Sequence, residues 1–244
     1  MSWYDSGPSK PLGELKEEAL ELIAKPPKRW GAIRPVAAEG RQQTRTLLGT
    51  AFFEASLRYA GSASRATKAK GYLRHHCLVD LQVKDGDARA TTAREGGGAD
   101  GRVYGLETYE TAFRLKPPPK RWWRNAVASL RAQLTPADAS ALAAGQLPAA
   151  VEAALSEPAC PLLPQRRGVA TSCDCLDGDS ACKHLLCTML GLAVLIDRDP
   201  LLLLRAHGLD PAALMPDLAE ALPGEADTPA DALDAATAAD LFGF

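Results

Sequence analysis

Four residues late in the chain have the types and spacing of a metal site. The segment runs Cys173-Asp174-Cys175, then six residues, then Cys182-Lys183-His184. Three thiols and one imidazole within twelve residues match, in number and kind, the ligands that close one tetrahedral Zn²⁺ site. Cys173 and Cys175 stand at i and i+2. On a strand they share a face, so both sulfurs can turn to one ion. Gly178 allows the chain to reverse after them. Cys182 and His184 then open a helix, because Leu185–Ile196 is a nearly unbroken apolar run. A helix N-terminus favours a thiolate at Cys182. Lys183, between two ligands, is expected to point outward.

Rival chemistries fit these residues less well. Ordinary buried thiols do not require this spacing. A disulfide between i and i+2 closes a strained ring, and six cysteines in 244 residues are sparse for a secreted disulfide scaffold. Asp174, Asp177 and Asp179 do not follow the order of a calcium loop, and no Glu closes one. Four protein ligands leave a metal no open position, and no Glu adjoins His184 to act as a base. Catalysis is therefore not expected. Cys187, one turn beyond His184, reads as a packed thiol rather than a spare ligand. No Ser-His-Asp order, phosphate-cradling loop or dinucleotide fingerprint occurs. His75-His76, read as part of a strand, would point to opposite faces and could not jointly hold one ion.

The elements that position this site must come from a chain of 244 residues that is 46% hydrophobic with a net charge of −2. That length suits one large domain or two small ones. The longest apolar run, twelve residues at 185–196, is shorter than the roughly 18 residues a membrane span needs. The start lacks the pattern of a secretory signal, so a cytoplasmic location is expected. Charge is uneven: +11 over residues 25–124, −10 over 125–244 and −3 over 1–24. A basic middle can attract nucleic acid or an acidic protein, or can be neutralised by the acidic half of the same molecule. The candidate phosphate contacts are Arg41, Arg45, Lys68, Lys70 and Arg74, with Lys120, Arg121 and Arg124 around a possible base-stacking pair, Trp122-Trp123. Arg166, Arg167 and Lys183 join them if the metal segment itself binds. Asp174, Asp177 and Asp179 surround that segment, however, and place its basic counterparts elsewhere.

Periodicity predicts a helix over Leu12–Ala24, stopped by Pro26-Pro27. A loop-rich basic entry follows to Leu47, then a short helix over Gly49–Tyr59 that breaks at Gly61-Ser62-Ala63-Ser64. Tyr72–Val83, Ala88–Arg94 and Arg102–Leu115 read as three strands, with an Asp85-Gly86 hairpin turn between the first two and a glycine loop at 96–98. Beyond Pro117-Pro118-Pro119 helices take over: Arg121–Leu134, a helix begun by Thr135-Pro136, and Ala149–Ser156. Arg167–Ser172 is a possible strand entering the metal segment, and Leu201–Ala206 is a short helix after it. Asp210-Pro211 caps a further helix, and the acidic Ala/Pro-rich tail is either a marginal helix or disordered.

The pattern C-x-C-x6-C-x-H followed by Leu-Leu-Cys-Thr-Met-Leu-Gly-Leu-Ala resembles the SWIM zinc finger, as found in free-standing bacterial proteins. Gly71-Tyr72-Leu73-Arg74 to Val79-Asp80-Leu81, Trp122-Trp123, Ala144–Pro148, Leu163-Pro164 and Asp199–Gly208 resemble further stretches of that family. The likeness spans about residues 49–214. The family's usual Cys-Ser-Cys-Pro-Asp-Trp is here Cys-Asp-Cys-Leu-Asp-Gly, so a surface tryptophan is missing, but the four ligands match. The resemblance implies binding to DNA or to protein partners, often beside a helicase-like ATPase of the Swi/Snf type, and no activity of its own.

The expectation is therefore an α+β fold. A small antiparallel sheet is followed by a helical region enclosing a SWIM-type ββα zinc knuckle. The expected division is an N-terminal helix and basic entry (1–48), an α+β domain (49–116), a helical region with the finger at 173–184 (117–214) and an acidic tail (215–244). One structural Zn²⁺ is held by Cys173, Cys175, Cys182 and His184. The partner is DNA or a protein; the alternative to DNA contact is a protein–protein interaction subunit of a larger complex.

Overall fold

The structure is a computed structural model, and it describes residues 12–38, 40, 42–97, 103–131, 135–143, 146–175, 177 and 181–209. Within these residues the fold is α+β, with eight α-helices and one four-stranded antiparallel sheet. The helix α1 (Leu12–Ala24) falls on its expected residues. A 3-10 turn, Lys28–Trp30, opens the basic entry segment. That segment then runs along the outer edge of the sheet: Val36 N–H donates to Leu78 O (3.0 Å) and Leu81 N–H to Arg34 O (3.0 Å). An edge strand covered in this way does not template association.

The helices α2 (Leu47–Ala60) and α3 (Ala63–Arg74) form a pair. Thr46 caps α2, accepting from Gly49 N–H (3.0 Å), and Asp197 accepts from Thr46 N–H (2.6 Å) and Arg45 N–H (2.7 Å). These carboxylate and hydroxyl acceptors satisfy the first donors of the helix. Gly61 takes the left-handed conformation that ends α2, and Ser62 caps α3. The break expected at residues 61–64 is thus only a joint between two helices.

The expectation of a strand from Tyr72 is corrected. Residues 63–74 are rich in Ala and Lys, which favour helix, and Ala69 and Leu73 at i, i+4 face the core. Leu73 therefore belongs to the helical repeat rather than to the strand after it. His75 and His76 lie in the turn that ends α3, not in a strand. His76 has φ 59°, and Cys77 N–H returns to Tyr72 O (2.9 Å), a Schellman-type closure.

The strands are β1 (Leu78–Lys84), β2 (Asp87–Gly97) and β3 (Val103–Leu115), joined in order, with β4 (Val169–Cys173) added beside β3. The β1–β2 turn holds Asp85 at φ 51° and Gly86 at φ 81°, the two positive values a tight hairpin turn requires. The strand β2 continues through Gly97, where a loop from Gly96 was expected. The fourth strand makes the sheet larger than the three strands anticipated. Between β3 and β4 in the chain lie α4 (Lys120–Arg131), α5 (Pro136–Ala143) and α6 (Ala149–Ser156), in the expected order. Thr135 and Asp138 exchange hydrogen bonds at the start of α5 (Thr135 N–H to Asp138, 2.8 Å; Asp138 N–H to Thr135, 3.3 Å).

The central element is α7 (Lys183–Arg198). Twelve of its sixteen residues are buried, as suits a helix covered on all sides. One side meets the sheet and another meets α2 and α3. A single buried cluster takes Leu48, Phe52, Leu73, Leu78, Leu81, Phe113, Leu162, Met189 and Leu190 from both sides of the Pro117–Pro119 break. A polar seam beside it is a pair of hydroxyls, Thr111 on β3 and Thr188 on α7, 2.6 Å apart. One hydroxyl donates to the other, which in turn donates to a backbone carbonyl, either Thr188 to His184 O (3.1 Å) or Thr111 to Ala90 O (3.4 Å), so neither buried hydroxyl is unpaired. The short α8 (Leu202–Ala206) follows. The helix expected after Asp210 and the acidic tail lie outside the described residues. Among the described residues no helix is long and apolar enough to cross a membrane.

Gly191 sets how closely α7 approaches the sheet. A Cβ there would meet Leu78 Cδ2 at 2.1 Å and Leu81 Cδ2 at 3.3 Å, and both leucines are fully buried. Gly191→Val is therefore expected to lower stability by about 1–3 kcal/mol, the usual cost of overpacking a core. Denaturant unfolding of the variant checks this; an unchanged midpoint would show that the leucines move aside freely.

Candidate metal centre

The site is built from the inner face of the sheet and the first turn of α7. Cys173 lies opposite Thr111 in the β3–β4 register. The ladder continues one residue further, with Asp174 N–H donating to Glu110 O (3.2 Å). Alternation then places Cys173 and Cys175 on the face that α7 covers and Asp174 on the other. Cys182 is the N-cap of α7, and its sulfur accepts from Leu185 N–H (3.4 Å). His184 is the second residue of the helix and is 1% exposed.

The four expected donors come together. One ligand atom from each of Cys173, Cys175, Cys182 and His184 lies within 4.8 Å of every other. Cys173 Sγ is 3.9 Å from His184 Nδ1. A tetrahedral ion with Zn–S of about 2.3 Å and Zn–N of about 2.0 Å has S···N edges of about 3.5 Å, so a small inward movement would complete such a shell. The cluster could hold a metal ion, and its sulfur-rich donor set fits the soft or borderline ions. Cys187 is not part of it. This thiol is fully buried and pushed up by burial and by nearby Cys77.

The electrostatics of the donors also suit a cation. Hydrogen bonding to Cys182 and burial push the Cys173 thiol up, and burial pushes Cys175 up. The Cys182 thiol is pulled down to about 4, chiefly by the Cys173 hydrogen bond and further by His184 and the Leu185 N–H, against burial. With no cation between them the three sulfurs cannot all be anionic; with one they can, at the cost of releasing protons. Affinity for a metal therefore rises with pH.

His184 is positioned in an unusual way. Its Nε2 is buried and has no hydrogen-bond partner among the described residues, whereas ligating histidines ordinarily donate this hydrogen to a carbonyl or carboxylate. Instead the ring is held by stacking. The Tyr109 ring lies 4.3 Å away and within 8° of parallel, and the Tyr72 ring 6.0 Å away and within 4°. Tyr109 is itself fixed: its hydroxyl donates to Glu107 (2.6 Å), and the Arg94 guanidinium lies 5.3 Å from its ring centre. Burial, and then the hydrogen bond to Glu107, push the Tyr109 pKa up to about 12.

Comparison of the chain with family models, with curated proteins and with solved structures finds no match. The site's assignment therefore rests on its own geometry.

The other candidate residues are more scattered. Arg41 lies outside the described residues. Arg45 is exposed just before α2. Lys68 and Arg74 are exposed on α3, whereas Lys70 is half-buried with its Nζ 5.5 Å from the Phe53 ring centre. Lys120, Arg121 and Arg124 are exposed on α4, but Trp122 and Trp123 are half-buried against the core, their rings 6.1 Å apart and tilted by 48°. Two expectations about charge are corrected. Lys183 is half-buried rather than turned fully outward; burial lowers its pKa, and so do the charges of Arg94 and Lys68. Basic residues do reach the metal segment: Arg65 of α3 pairs with Asp177 (3.2 Å). Asp179 lies outside the described residues. Tyr109, Arg65 and Arg94 escape a reading by motif, and Tyr72 enters only as part of a family-like stretch and not as a site residue, because what brings them to the cysteines is the pairing of β3 with β4 and the packing of α3 on α7.

If stacking takes the place of the missing hydrogen bond, Tyr109→Ala lowers metal affinity about 10–100-fold, the usual effect of losing a partner that orients a ligand. Tyr109→Phe, which keeps the ring, stays near wild type. Competition against a chromophoric chelator reads both. Equal affinities for wild type and Tyr109→Ala would refute the role of the stack.

Proposed function

We propose that Cys173, Cys175, Cys182 and His184 hold one structural Zn²⁺, and that the protein is a non-catalytic, SWIM-like zinc finger protein of the cytoplasm. In this reading it binds nucleic acid as an accessory to DNA transactions beside a helicase-like ATPase. The observation that carries the metal assignment is the meeting of four protein donors within 4.8 Å. A full set of protein ligands leaves no coordination position for substrate or water, which supports a structural rather than a chemical role. When bound, the ion would supply charge compensation for the thiolates and a rigid link between β4 and α7. The residues that do the rest are the chain's own: Cys182 caps the helix, Thr188 and Thr111 tie it to the sheet, and the tyrosines orient His184.

Nucleic-acid binding is supported by the basic character of residues 25–124 and by the approach of Arg65, Lys68 and Arg94 to the metal segment. A second reading, a protein-interaction subunit without DNA contact, is favoured by a different surface. The face of the sheet opposite α7 forms an open groove of about 600 Å³. Its lining mixes Asp80, Asp85, Asp87 and Glu110 with Arg29, Lys84 and Arg89. Four carboxylates there oppose phosphates but suit a polar protein surface.

Metal analysis of the purified full chain is expected to give about one zinc per chain, and chelation to lower the Tm, since a structural Zn²⁺ adds on the order of 10 kcal/mol to such a unit. A fluorescein-labelled oligonucleotide should bind at low salt with an affinity that falls steeply as salt rises. Absence of such binding, together with a protein that co-purifies in stoichiometric amount, would favour the second reading. A metal-free chain whose Tm ignores chelators would remove the basis of both.

A further inference from the structure

Beside the metal cluster, on the side away from the open sheet groove, lies a separate polar pocket of about 350 Å³. It sits at the joint between α2 and α3, and Ala181, next to the ligand Cys182, forms part of its wall. Among the described residues, its charged lining is two guanidinium groups, Arg65 from α3 and Arg166 from the loop before β4. Arg166 packs against Gly61, where any Cβ would come within 2.3 Å of its Nη2. The glycine therefore makes room for the guanidinium as well as ending α2. Arg166 is exposed and makes no ion pair with any of the described residues. Arg65 is shared with Asp177, an exposed carboxylate 3.2 Å away.

Further cations continue from this pocket. Lys68 follows Arg65 by three positions, which puts both on one side of α3. Lys183, at the start of α7, lies within electrostatic reach of Lys68 and Arg94. Arg94 in turn covers the outer ring of the histidine stack, Tyr109. The sequence separates these residues by up to 118 positions, Arg65 to Lys183; the packing of α3 on α7 and of β3 on β4 gathers them at the finger.

We propose that the Arg65–Arg166 pocket is a phosphate subsite, and that it begins a phosphodiester track running past Lys68 and Lys183 to Arg94. The proposal rests on the nucleic-acid reading given above and names the surface that reading requires. Paired guanidinium groups offer the forked donors that phosphate oxygens accept, and a line of cations from separate elements follows a backbone rather than a single anion. Asp177 competes with phosphate for Arg65, so it acts as an internal brake on binding. The metal would place Lys183 by fixing the two ligands on either side of it. This surface replaces the α4 cluster of Lys120, Arg121 and Arg124 as the main contact.

The test is fluorescence anisotropy of the metal-loaded full chain with a fluorescein-labelled single-stranded oligonucleotide and with its duplex, over a range of salt. Arg166→Glu and Lys68→Glu, both at exposed positions, should each weaken binding about tenfold and reduce the salt slope by about one. Asp177→Asn should strengthen binding, and Arg121→Glu should leave it unchanged. Metal content and Tm of each variant confirm that the centre is intact. If Arg121→Glu weakens binding while Arg166→Glu and Lys68→Glu do not, the track is wrong although the protein still binds nucleic acid. If wild type fails to bind either oligonucleotide at low salt, the underlying reading falls, and this inference falls with it.

Discussion

Four donor side chains from two elements that share no hydrogen-bond ladder must meet within 4.8 Å, and the placement of α7 depends on that meeting. Cys173 and Cys175 arrive on the inner face of an edge strand. Cys182 and His184 arrive at the N-terminus of the most buried helix. Three thiols in one small volume resist joint ionisation, as the raised Cys173 and lowered Cys182 show. A cation converts that mutual repulsion into attraction. Much of what lies behind the site serves the same placement: the threonine pair in the core, the absent side chain at Gly191, and the carboxylate of Asp197 that links the end of α7 to the start of α2.

How much of this was readable without the structure depends on the range of the interaction. The ligands are local, twelve residues in all, and their types limit the chemistry; all four meet as expected. The helices α1 and α6 are bounded by prolines or by strong periodicity, and they fall on their expected residues. The hairpin at Asp85-Gly86 is fixed by turn chemistry that only a few residues satisfy. The errors lie where a local pattern has two readings. Leu73 extends the apolar alternation of β1 equally well as it completes the helical repeat of α3, and the Ser62 cap with the Schellman-type closure at His76 decides for the helix. The fourth strand was only a possibility because five residues bounded by loops carry little signal, and its pairing with β3 spans the whole of α4, α5 and α6.

The same distinction applies to charge. Counted along the chain, the acidic residues near the cysteines and the basic residues of the middle belong to different halves. In three dimensions α3 lies against α7 and delivers Arg65 to Asp177, while β2 delivers Arg94 to Tyr109. Charge summed over a segment does not describe the field at a site assembled from several segments. The two faces of the sheet accordingly differ. One carries the candidate metal centre, with basic side chains near it; the other carries a groove of mixed sign.

The central claim is that these four side chains form one closed metal shell. X-ray absorption at the zinc edge of the purified full chain tests it most directly. The account predicts a four-coordinate ion with three sulfur neighbours at about 2.3 Å and one nitrogen at about 2.0 Å. A shell dominated by oxygen, or one with fewer than three sulfurs, would contradict it.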